Sequence, residues 1–597
     1  MSRARIQWIS GPVLRAVAEG PFRLREAVEV GPLGLLGEVI RLDGDRITAQ
    51  VYEPTVGLKP GISVRGSGEL LSVRVGPHLL GRMFDGLLRP LGSERTRHVH
   101  PGAQAAARLA FAFRPRVASG DLLEPGSTFG DVELPWGSEV ACLLPPQRGG
   151  EVESVRPEGE YADDAPLVVL RDAAGRRTEV AMSHRWPVRV PRPVKERIAS
   201  DRPLVTGQRL LDSLFPIALG SKSALPGGFG TGKTVLLETL AKSCAADVIV
   251  YLGCGERGNE IAGVLDEFPG LKDPRTGRSL MERTVIIANT SNMAVAAREA
   301  SVYTAMTVAE YFRDQGLDVA LMADSTSRWA EALREVSGLV GELPGEGGYP
   351  AYLAGRIADF YERAARVRTL SGTVGSVTVL GSISPPSGDF SEPVTSHTTR
   401  YVRDLWALDT QRAQARFYPA INPLKSYSED APQLAMWWDK VYADLPPPAG
   451  GDAAAEWMVL RRRFLTLLEE QIRVERMARI VGKDALPARQ RLTLLAAELV
   501  NEAFLRQSAF SENDRHCSPD RQAMMMRLLV RFISLAESAV GAGVKPELIG
   551  QMPVLRRLQR MGEDLPDGVL APLSELEASL EADFLPLLEP RSEAHAG

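Results

Sequence analysis

The hydrophobic and polar positions of this chain follow three successive patterns. From about residue 6 to residue 91, short runs that favour strands are separated by glycine and proline, and Asp43-Gly44 between two runs is typical of a hairpin turn. Runs of the same kind continue from about residue 102 to residue 188 and end in a proline-rich segment at 186–193. The first region therefore predicts a small β-barrel, and the second predicts a further small β domain.

From Pro203 onward, apolar runs alternate with segments of helical spacing. The apolar runs predict buried strands at Ala246–Leu252, Arg283–Asn289, Asp318–Asp324 and Thr373–Leu380. The segments between them predict helices at Val235–Ser243, Ala294–Asp314 and Arg328–Val336. Alternating strands and helices are typical of a largely parallel sheet with helices on both faces, so we expect an α/β domain here.

From about Trp457 onward, apolar and charged positions recur at helical spacing, which predicts an all-helical C-terminal domain. Helices are expected over Gln522–Leu535 and Pro572–Leu585, with breaks at Lys483–Pro487 and Gly541–Pro546. The chain is thus predicted to be multidomain. The predicted domains are an N-terminal β-barrel (1–92), an extra β domain (93–193), a central α/β domain (194–440) and a C-terminal helical domain (441–597).

Composition narrows the class of protein. The 597 residues are 44% hydrophobic and 24% charged, and the net charge of −5 argues against a nucleic-acid partner held by bulk electrostatics. No apolar run approaches the ~20 residues that span a bilayer, and the first residues lack the apolar region of a signal peptide. We therefore expect a cytoplasmic chain that, at a membrane, is a peripheral part of an assembly. Four cysteines lack the spacing of a disulfide framework or zinc site: Cys142, Cys244, Cys254 and Cys517.

A phosphate-binding motif lies in the α/β region. Residues 227–234 match G-x-x-x-x-G-K-[ST], in which backbone N–H groups of a glycine-rich loop and the N-terminus of the next helix surround phosphate oxygens. Lys233 is then expected to reach the β- and γ-phosphates, and Thr234 to offer its hydroxyl to Mg²⁺. A chance glycine-rich loop before a helix is the alternative, and the strand–helix context argues against it. The residues expected at the nucleotide are Gly227, Gly228, Phe229, Gly230, Thr231, Gly232, Lys233, Thr234 and Val235.

Carboxylates follow two of the predicted strands. Asp324 ends an apolar strand, where a carboxylate acts on Mg²⁺ through the metal's water shell. Glu256 follows the strand after the motif and is our candidate for polarising the water that attacks the γ-phosphate. Beside it, Arg257 is placed to contact that phosphate, and Glu260 to hold a metal-bound water. An ordinary helix N-terminal turn, where the dipole favours glutamate, explains the same residues, and spacing alone leaves both interpretations open.

Aromatic residues are candidates for stacking on a nucleobase. Phe229 lies within the motif, and Phe417 and Tyr418 precede Pro419. An adenine ring needs an apolar face of this kind. On the residues alone, however, core packing is the better-supported alternative for Phe417 and Tyr418.

Taken together, these motifs closely resemble the catalytic A subunit of V-type and archaeal-type (V/A) rotary ATPases. The likeness extends nearly from end to end, from Ile9-Ser-Gly-Pro-Val to Phe510-Ser, and is looser from Ala523 onward. The second β domain resembles the one that distinguishes A subunits from B subunits and from F-type ATP synthase subunits. The stretches that carry the resemblance most specifically are 226–235, 250–260, 288–301, 310–316 and 323–335.

The resemblance implies a P-loop (RecA-like) nucleotide-binding domain that binds ATP or ADP with Mg²⁺ and hydrolyses or synthesises ATP. It implies three A and three B subunits around a central stalk, with sites at A–B interfaces and an arginine finger from the B subunit. A peripheral stalk and a membrane sector that moves H⁺ or Na⁺ complete the implied assembly, on the cytoplasmic face of the membrane.

The resemblance also assigns roles to residues. It implies catalytic roles for Lys233, Glu256, Arg257 and Arg328, the last near the γ-phosphate. It implies metal-site roles for Thr234, Asp324 and Glu260. The resemblance favours base binding over core packing for the aromatic residues, since it implies an adenine pocket formed by Phe417 or Tyr418 and by residues 504–510. The residues expected at the base are therefore Phe417, Tyr418, Gln507 and Phe510.

Some positions depart from the family pattern, and two rivals remain. Gly228 stands where proline is usual, and Thr231 stands where many eukaryotic members have cysteine, which removes any case for a disulfide switch. A ring motor of the flagellar-export or Rho type would lack the second β domain. A non-catalytic nucleotide-binding subunit would have a broken motif or no glutamate after the second strand, whereas this chain has both features intact.

Overall fold

The computed structural model describes residues 2–91, 109–273, 276–449 and 456–588. The chain folds as two units, each built from several stretches of sequence. The first unit comprises Met1–Ala199, Leu219–Ala224 and Ala246–Val402. The second comprises Ser200–Ala218, Leu225–Ala245 and Arg403–Gly597. The domain boundary predicted near residue 93 lies outside the described residues.

The strands and the helices are numbered separately, each in chain order. The strands are β1 (Arg3–Ser10), β2 (Val13–Ala18), β3 (Glu26–Val30), β4 (Leu35–Asp43), β5 (Arg46–Val51), β6 (Ser63–Leu70), β7 (Ser72–Val75), β8 (Met83–Asp85), β9 (Ala110–Pro115), β10 (Leu122–Leu123), β11 (Thr128–Glu133), β12 (Glu139–Leu143), β13 (Gly150–Val155), β14 (Gly159–Ala162), β15 (Val168–Arg171), β16 (Arg177–Val180), β17 (His184–Pro187), β18 (Glu196–Arg197), β19 (Lys222–Pro226), β20 (Val248–Glu256), β21 (Thr284–Thr290), β22 (Asp318–Asp324), β23 (Ala365–Arg368), β24 (Val374–Ile383), β25 (Asp404–Leu405) and β26 (Tyr427–Ser428). The helices are α1 (Arg209–Leu214), α2 (Lys233–Ser243), α3 (Gly258–Glu267), α4 (Val295–Arg313), α5 (Thr326–Val340), α6 (Leu353–Tyr361), α7 (Pro393–Thr398), α8 (Thr410–Gln414), α9 (Ala431–Ala443), α10 (Trp457–Val481), α11 (Ala488–Val500), α12 (Pro519–Gly541), α13 (Pro546–Gly550), α14 (Pro553–Asp564) and α15 (Ala571–Leu588).

The first six strands of the first unit close into a barrel in the order β1-β2-β5-β4-β3-β6. Alternate residues of these strands point inward, and the interior is aliphatic, with Val28, Val30, Val39 and Ala49 fully buried. The Asp43-Gly44 turn joins β4 to β5, whose antiparallel register starts at Asp43 and Arg46. The predicted barrel and hairpin are confirmed.

A second β region follows as two four-stranded sheets, β12-β11-β9-β14 and β10-β13-β15-β16. Phe113 packs against Phe129 and Tyr161 with ring centroids 6.0 and 6.3 Å apart. Val152 and Leu170 are buried in the other sheet. The extra β domain that the glycine- and proline-broken runs predicted is therefore present.

The first unit also holds a mostly parallel sheet in the order β19-β24-β22-β20-β21-β8, with β23 antiparallel to β24. Its core strands are fully buried, as expected for a sheet covered on both faces. Strands β20, β21, β22 and β24 and helices α4 and α5 cover the predicted segments to within a few residues at their ends. The sequence did not predict β8, which is three residues long and lies parallel to β21 at the sheet edge.

The second unit is largely helical. Helix α8 lies between the short paired strands β25 and β26, helices α9 to α15 follow them, and α11 continues directly into a π-helix over Asn501–Leu505. Trp438 of α9 stacks on Trp457 at the start of α10, with ring centroids 5.6 Å apart. The predicted C-terminal helices are confirmed, and α10 ends at Val481, just before the break predicted at Lys483–Pro487. Within the described residues, no helix is long and apolar enough to cross a membrane.

A buried arginine joins three segments of the first unit. Arg189, in the linker after β17, forms ion pairs with Glu38 of β4 at 3.0 Å and with Glu299 of α4 at 2.5 Å. Its guanidinium lies 4.8 Å from the ring centroid of Tyr303. Burial raises the pKa of Glu299, but the charge and the hydrogen bond of Arg189, together with the charges of Arg356 and Arg25, outweigh burial and hold that pKa below its usual value. The barrel strand, the linker and the helix are thus connected through one cation.

Replacing this cation should destabilise the first unit. Arg189→Met leaves Glu38 and Glu299 buried without their partner, so we expect a loss of about 3 kcal/mol or more in the free energy of unfolding at pH 7. The lowered pKa of Glu299 stabilises the wild type above its unfolded-state pKa and is lost as the pH falls through the folded value. The gap between wild type and variant should therefore narrow in acid, as followed by denaturant unfolding at several pH values.

The matched control is Arg5→Met, which removes an exposed pair with Glu19 at 2.8 Å. It should cost no more than about 1 kcal/mol. Equal losses for the two variants would contradict the role given to Arg189.

Candidate active site

The predicted phosphate loop lies between β19 and α2, and its residues belong to the second unit. Gly232 precedes the first helical residue, Lys233, and accepts the first intrahelical bond from Leu236 N–H at 2.9 Å. Lys233 Nζ donates to the carbonyl oxygens of Gly227 and Gly228 at 2.7 and 3.0 Å. The lysine therefore lies across the loop at the N-terminus of α2, where the helix dipole and backbone N–H groups favour an anion.

The loop backbone approaches its neighbours closely. A Cβ atom on Gly227 would lie 2.6 Å from Thr231 Oγ1 and 2.7 Å from Leu408 Cβ, so only glycine fits at this position. Thr231 is buried and donates to Gly228 O at 2.8 Å. By contrast, Phe229 is 89% exposed at the tip of the loop. Thr231 thus shapes the loop, while Phe229 projects from it.

A cavity of about 510 Å³ lies beside this loop within the second unit. It is lined by the predicted residues Tyr418, Gln507 and Phe510, together with basic and acidic side chains of the π-helix and α14. The ring of Tyr418 faces the loop, since its Cε1 atom is 3.5 Å from the position of a Cβ on Gly232. The structure therefore brings the loop and three of the four predicted base-pocket residues together. Phe510, 98% exposed, forms the rim.

Phe417 is placed differently from Tyr418. It is not among the described residues that line the cavity. The guanidinium of Arg412 lies over its ring, 4.6 Å from the centroid. Between the two aromatics that the sequence offered, Tyr418 is the one at the cavity.

The predicted acidic residues lie in the first unit, at the carboxyl ends of neighbouring strands. Strands β20 and β22 are parallel, with Gly253 opposite Asp324, so Glu256 and Asp324 follow the same edge of the sheet. Asp324 is buried and accepts a hydrogen bond from the hydroxyl of Ser382 on β24. Glu256 is half-buried at the last position of β20. Sequence reasoning missed Ser382, because a serine near the end of an apolar strand carries no motif.

Two arginines flank the turn that carries Glu256. A Cβ on Gly255 would lie 2.7 Å from Arg328 Cβ and 3.0 Å from Arg298 Cδ. Arg328 was predicted from the resemblance, and it also pairs with Glu331 at 2.9 Å. Arg298, which is buried at the start of α4, was not predicted. The signal in the sequence is a charged residue within an otherwise alanine-rich helical stretch. Its Nη2 atom donates to Ser291 O at 3.1 Å, and Ser291 N–H in turn donates to Glu256 O at 2.9 Å.

The remaining predicted residues lie near the same edge. Arg257 is exposed at the N-terminal cap of α3. Glu260 is within α3, and its side chain lies outside the described part of the structure. Among the described residues, no group of three or more histidine, cysteine, aspartate or glutamate side chains is placed to hold a metal ion. Burial raises the pKa of the neighbouring Cys254 thiol to about 12, so this cysteine stays protonated and takes no part as a thiolate.

Four protein-family models match successive stretches of the chain, in the order in which the sequence predicted the domains. The β-barrel domain of the ATP synthase alpha/beta family matches residues 6–68, and the alpha/beta subunit barrel-sandwich domain matches residues 105–189. The nucleotide-binding domain of the same family matches residues 207–428. The C-terminal domain of V and A type ATP synthase matches residues 449–547.

Curated relatives extend the match to the whole chain. The A subunit of the A-type ATP synthase of Methanopyrus kandleri is 46% identical over 598 residues, covering 99% of each chain. The corresponding A subunit from Thermococcus onnurineus is 47% identical and covers 97% of this chain and 99% of its own. This chain belongs to the family of A subunits of A-type ATP synthases. The resemblance found in the sequence is confirmed.

A solved structure matches the fold of this A-type synthase chain. The assembled ATPase EscN from the enteropathogenic E. coli type III secretion system superposes with a TM-score of 0.62 at 22% identity, covering 88% of this chain and 100% of EscN. At that identity the match concerns the fold alone. Family membership rests on the near full-length relatives, and it excludes the export-type and Rho-type interpretations.

Gly255 is the position at which a small change should disturb this edge most. Its φ of +74° is left-handed, and an added Cβ would overlap Arg328 and Arg298, so Gly255→Ala should lower the free energy of unfolding by roughly 2 kcal/mol or more. The control is Gly258→Ala, three residues on, where a Cβ meets nothing within 4 Å in α3. That variant should match the wild type or exceed it by up to about 1 kcal/mol. Similar thermal unfolding of both variants would show that the close packing at Gly255 is unimportant.

Proposed function

We propose that this chain is the catalytic subunit of a rotary A-type ATP synthase and that it hydrolyses or synthesises ATP, coupled to H⁺ or Na⁺ transport. The observation that carries the proposal is an intact phosphate loop that ends at Lys233, whose ammonium group lies across it. The same chain places Glu256 and Asp324 at the ends of neighbouring strands. Phosphoryl transfer needs positioning and charge stabilisation more than strong acids or bases, and this set of residues provides both.

The predicted catalytic residues take the following roles in this proposal. The loop N–H groups and Lys233 bind the phosphates of ATP or ADP. Glu256 orients and polarises the attacking water, and Arg328 and Arg257 stabilise charge on the γ-phosphate. Arg298 supports the turn of Glu256 through Ser291.

The donor atoms suit Mg²⁺. The hydroxyl of Thr234 and the carboxylate of Asp324 are hard oxygen ligands, and Glu260 is a further candidate for a metal-bound water. When bound, Mg²⁺ would neutralise charge on the β- and γ-phosphate oxygens. The hydrogen bond from Ser382 fixes the orientation of the Asp324 carboxylate.

The cavity beside the loop is the proposed base site. Tyr418 and Phe510 offer aromatic faces to the adenine ring, and the position of Tyr418 next to Gly232 suits a nucleotide whose phosphates lie in the loop. Phe417, the residue before Tyr418, is not assigned to the base site, because Arg412 covers its ring.

The proposed assembly follows the family. Relatives are named as subunits of a synthase, so this chain is expected to work in a complex with other subunits. We propose three alternating A–B pairs, with an arginine finger from the B subunit completing each site. Central and peripheral stalks would connect this ring to a membrane sector, leaving the chain on the cytoplasmic face as a peripheral subunit.

Glu256→Gln tests the catalytic role. The amide keeps the size of the side chain but does not polarise water as a carboxylate does, so ATP turnover should fall by at least about 100-fold. ATP binding should persist, because the phosphate loop is unchanged. The measurement is ATPase activity of the chain reconstituted with its B subunit, together with nucleotide binding by calorimetry. Glu335→Gln, an exposed change on α5, is the control, and turnover of Glu256→Gln within a few-fold of wild type would refute the assignment.

Tyr418→Ala and Phe510→Ala test the base site. Loss of one aromatic face should weaken ATP binding about tenfold, which corresponds to ~1.4 kcal/mol. Inorganic tripolyphosphate has no base, so its affinity should stay the same. Calorimetric titration of each ligand into the full chain separates these effects. Tyr352→Ala, which removes a partly exposed tyrosine of the first unit, should change neither affinity.

A further inference from the structure

Gln507 lines the base cavity, but its side-chain amide is turned away from it. The residue is only 5% exposed. Its Oε1 atom accepts from the Arg209 backbone N–H at 2.8 Å, and its Nε2 atom donates to Gly207 O at 2.8 Å. Both ends of the amide are therefore engaged by the segment 205–212, which we call the polar turn and which includes the first turn of α1.

The backbone of Gln507 reaches a different element. Its N–H donates to Tyr418 O at 2.9 Å, so one residue joins the polar turn to the segment that presents the aromatic face. The loop that follows the π-helix is thereby held against two segments that are far from it in sequence. The backbone of Tyr418 is therefore bonded to the same residue whose side chain holds the polar turn.

Arg209 reinforces the same connection. It is buried, pairs with Asp514, and donates to Phe504 O at 2.9 Å and Arg506 O at 2.6 Å. Burial disfavours its charge, but the electrostatic and hydrogen-bond interactions with Asp514 and Cys517 together outweigh burial and raise the pKa of the guanidinium. Asp514 also accepts from Ser508 N–H at 2.7 Å. The polar turn thus holds both sides of the loop around Gln507.

The polar turn is bonded in the other direction to the helix that begins at the phosphate loop. Ser243, the last residue of α2, donates through its hydroxyl to Thr206 O at 2.7 Å. Ala245 N–H donates to Val205 O at 2.8 Å. Asp212 accepts from Thr206 and Gly207 N–H groups, each at 2.8 Å, which fixes the shape of the turn. A continuous set of buried hydrogen bonds therefore runs from the end of α2 to the wall of the cavity.

We propose that Gln507 is a positioning residue, which sets the base cavity relative to the phosphate loop and does not read the base through its amide. To contact a base, the amide would have to release a buried N–H and a buried carbonyl, both of which are costly to leave unpaired. This inference rests on the proposed use of the cavity as the base site. It predicts that Gln507 affects every nucleoside triphosphate by the same factor.

The test is Gln507→Met in the full chain, with affinities for ATP, GTP and inorganic tripolyphosphate measured by calorimetry. Methionine keeps the volume but removes both side-chain hydrogen bonds, so ATP and GTP should each weaken about tenfold, with their ratio unchanged. Tripolyphosphate should stay within about twofold of wild type. A changed ATP-to-GTP ratio would make Gln507 a reader of the base and overturn the proposal. Equal weakening of tripolyphosphate would place its effect on the phosphate loop and overturn it as well.

Arg527→Met is the control for general destabilisation of the second unit. Arg527 of α12 donates to Pro446 O at 2.7 Å and pairs with Glu577 of α15 at 2.9 Å, and neither partner belongs to the polar turn or to the loop of Gln507. It should lower the thermal unfolding temperature as Gln507→Met does, while leaving ATP affinity within about twofold. If both variants weaken ATP equally, the effect is general destabilisation and the proposal fails.

Two further variants keep the outcomes separate. If Gln507→Met does not fold, Gln507→Glu replaces it. The carboxylate keeps the acceptor for Arg209 N–H and loses the donor to Gly207 O, so ATP and GTP should again weaken about tenfold, with tripolyphosphate within about twofold of wild type. If Tyr418→Ala and Phe510→Ala leave ATP affinity unchanged, the cavity is not the base site and the proposed function is revised there. If those two variants weaken ATP and Gln507→Met does not, the positioning role alone is refuted.

Discussion

The parallel pairing of β20 with β22 is the constraint that places the carboxylates of Glu256 and Asp324 at one edge of the sheet. Carboxyl ends of parallel strands lie at one edge of a sheet, so Gly253 opposite Asp324 brings Asp324 and Glu256 to that edge. A slip of one residue would reverse the faces of every side chain along the strand. Ser382 on β24 and Gly255 on β20 act within this register, one by orienting Asp324 and the other by admitting two arginines.

Sequence patterns predicted the parts of the structure whose physical cause is local. The glycines of the phosphate loop, the apolar strand that ends in Asp324, the apolar strand that precedes Glu256 and the amphipathic C-terminal helices all follow from neighbours in the chain. Strand β8 was not predictable, because three residues carry no period and its pairing with β21 joins segments about 200 residues apart. Arg298 and Ser382 were missed for a related reason, since each acts on a residue that is distant in sequence.

The base cavity shows the same limit more clearly. Tyr418 and Phe510 come from separate segments, and only the fold reveals that Tyr418 rather than Phe417 lines the cavity. The resemblance to a known family pointed to residues 504–510, but it did not say how Gln507 is used. Hydrogen bonds to the 205–212 turn determine that, and nothing in the local sequence of Gln507 indicates a partner some 300 positions earlier.

Two arginines with little exposure join segments that are distant in sequence. Arg189 joins β4 to α4, and Arg209 joins the polar turn to the loop of Gln507. Apolar burial is non-directional, so it stabilises the barrel and the sheet without fixing how a linker or loop is oriented. A guanidinium offers donors in a rigid planar arrangement and stays charged when buried, so it can hold two or three acceptors in one geometry. The aliphatic cores therefore account for the compactness of each unit, and these arginines account for the fixed positions of the segments that build its sites.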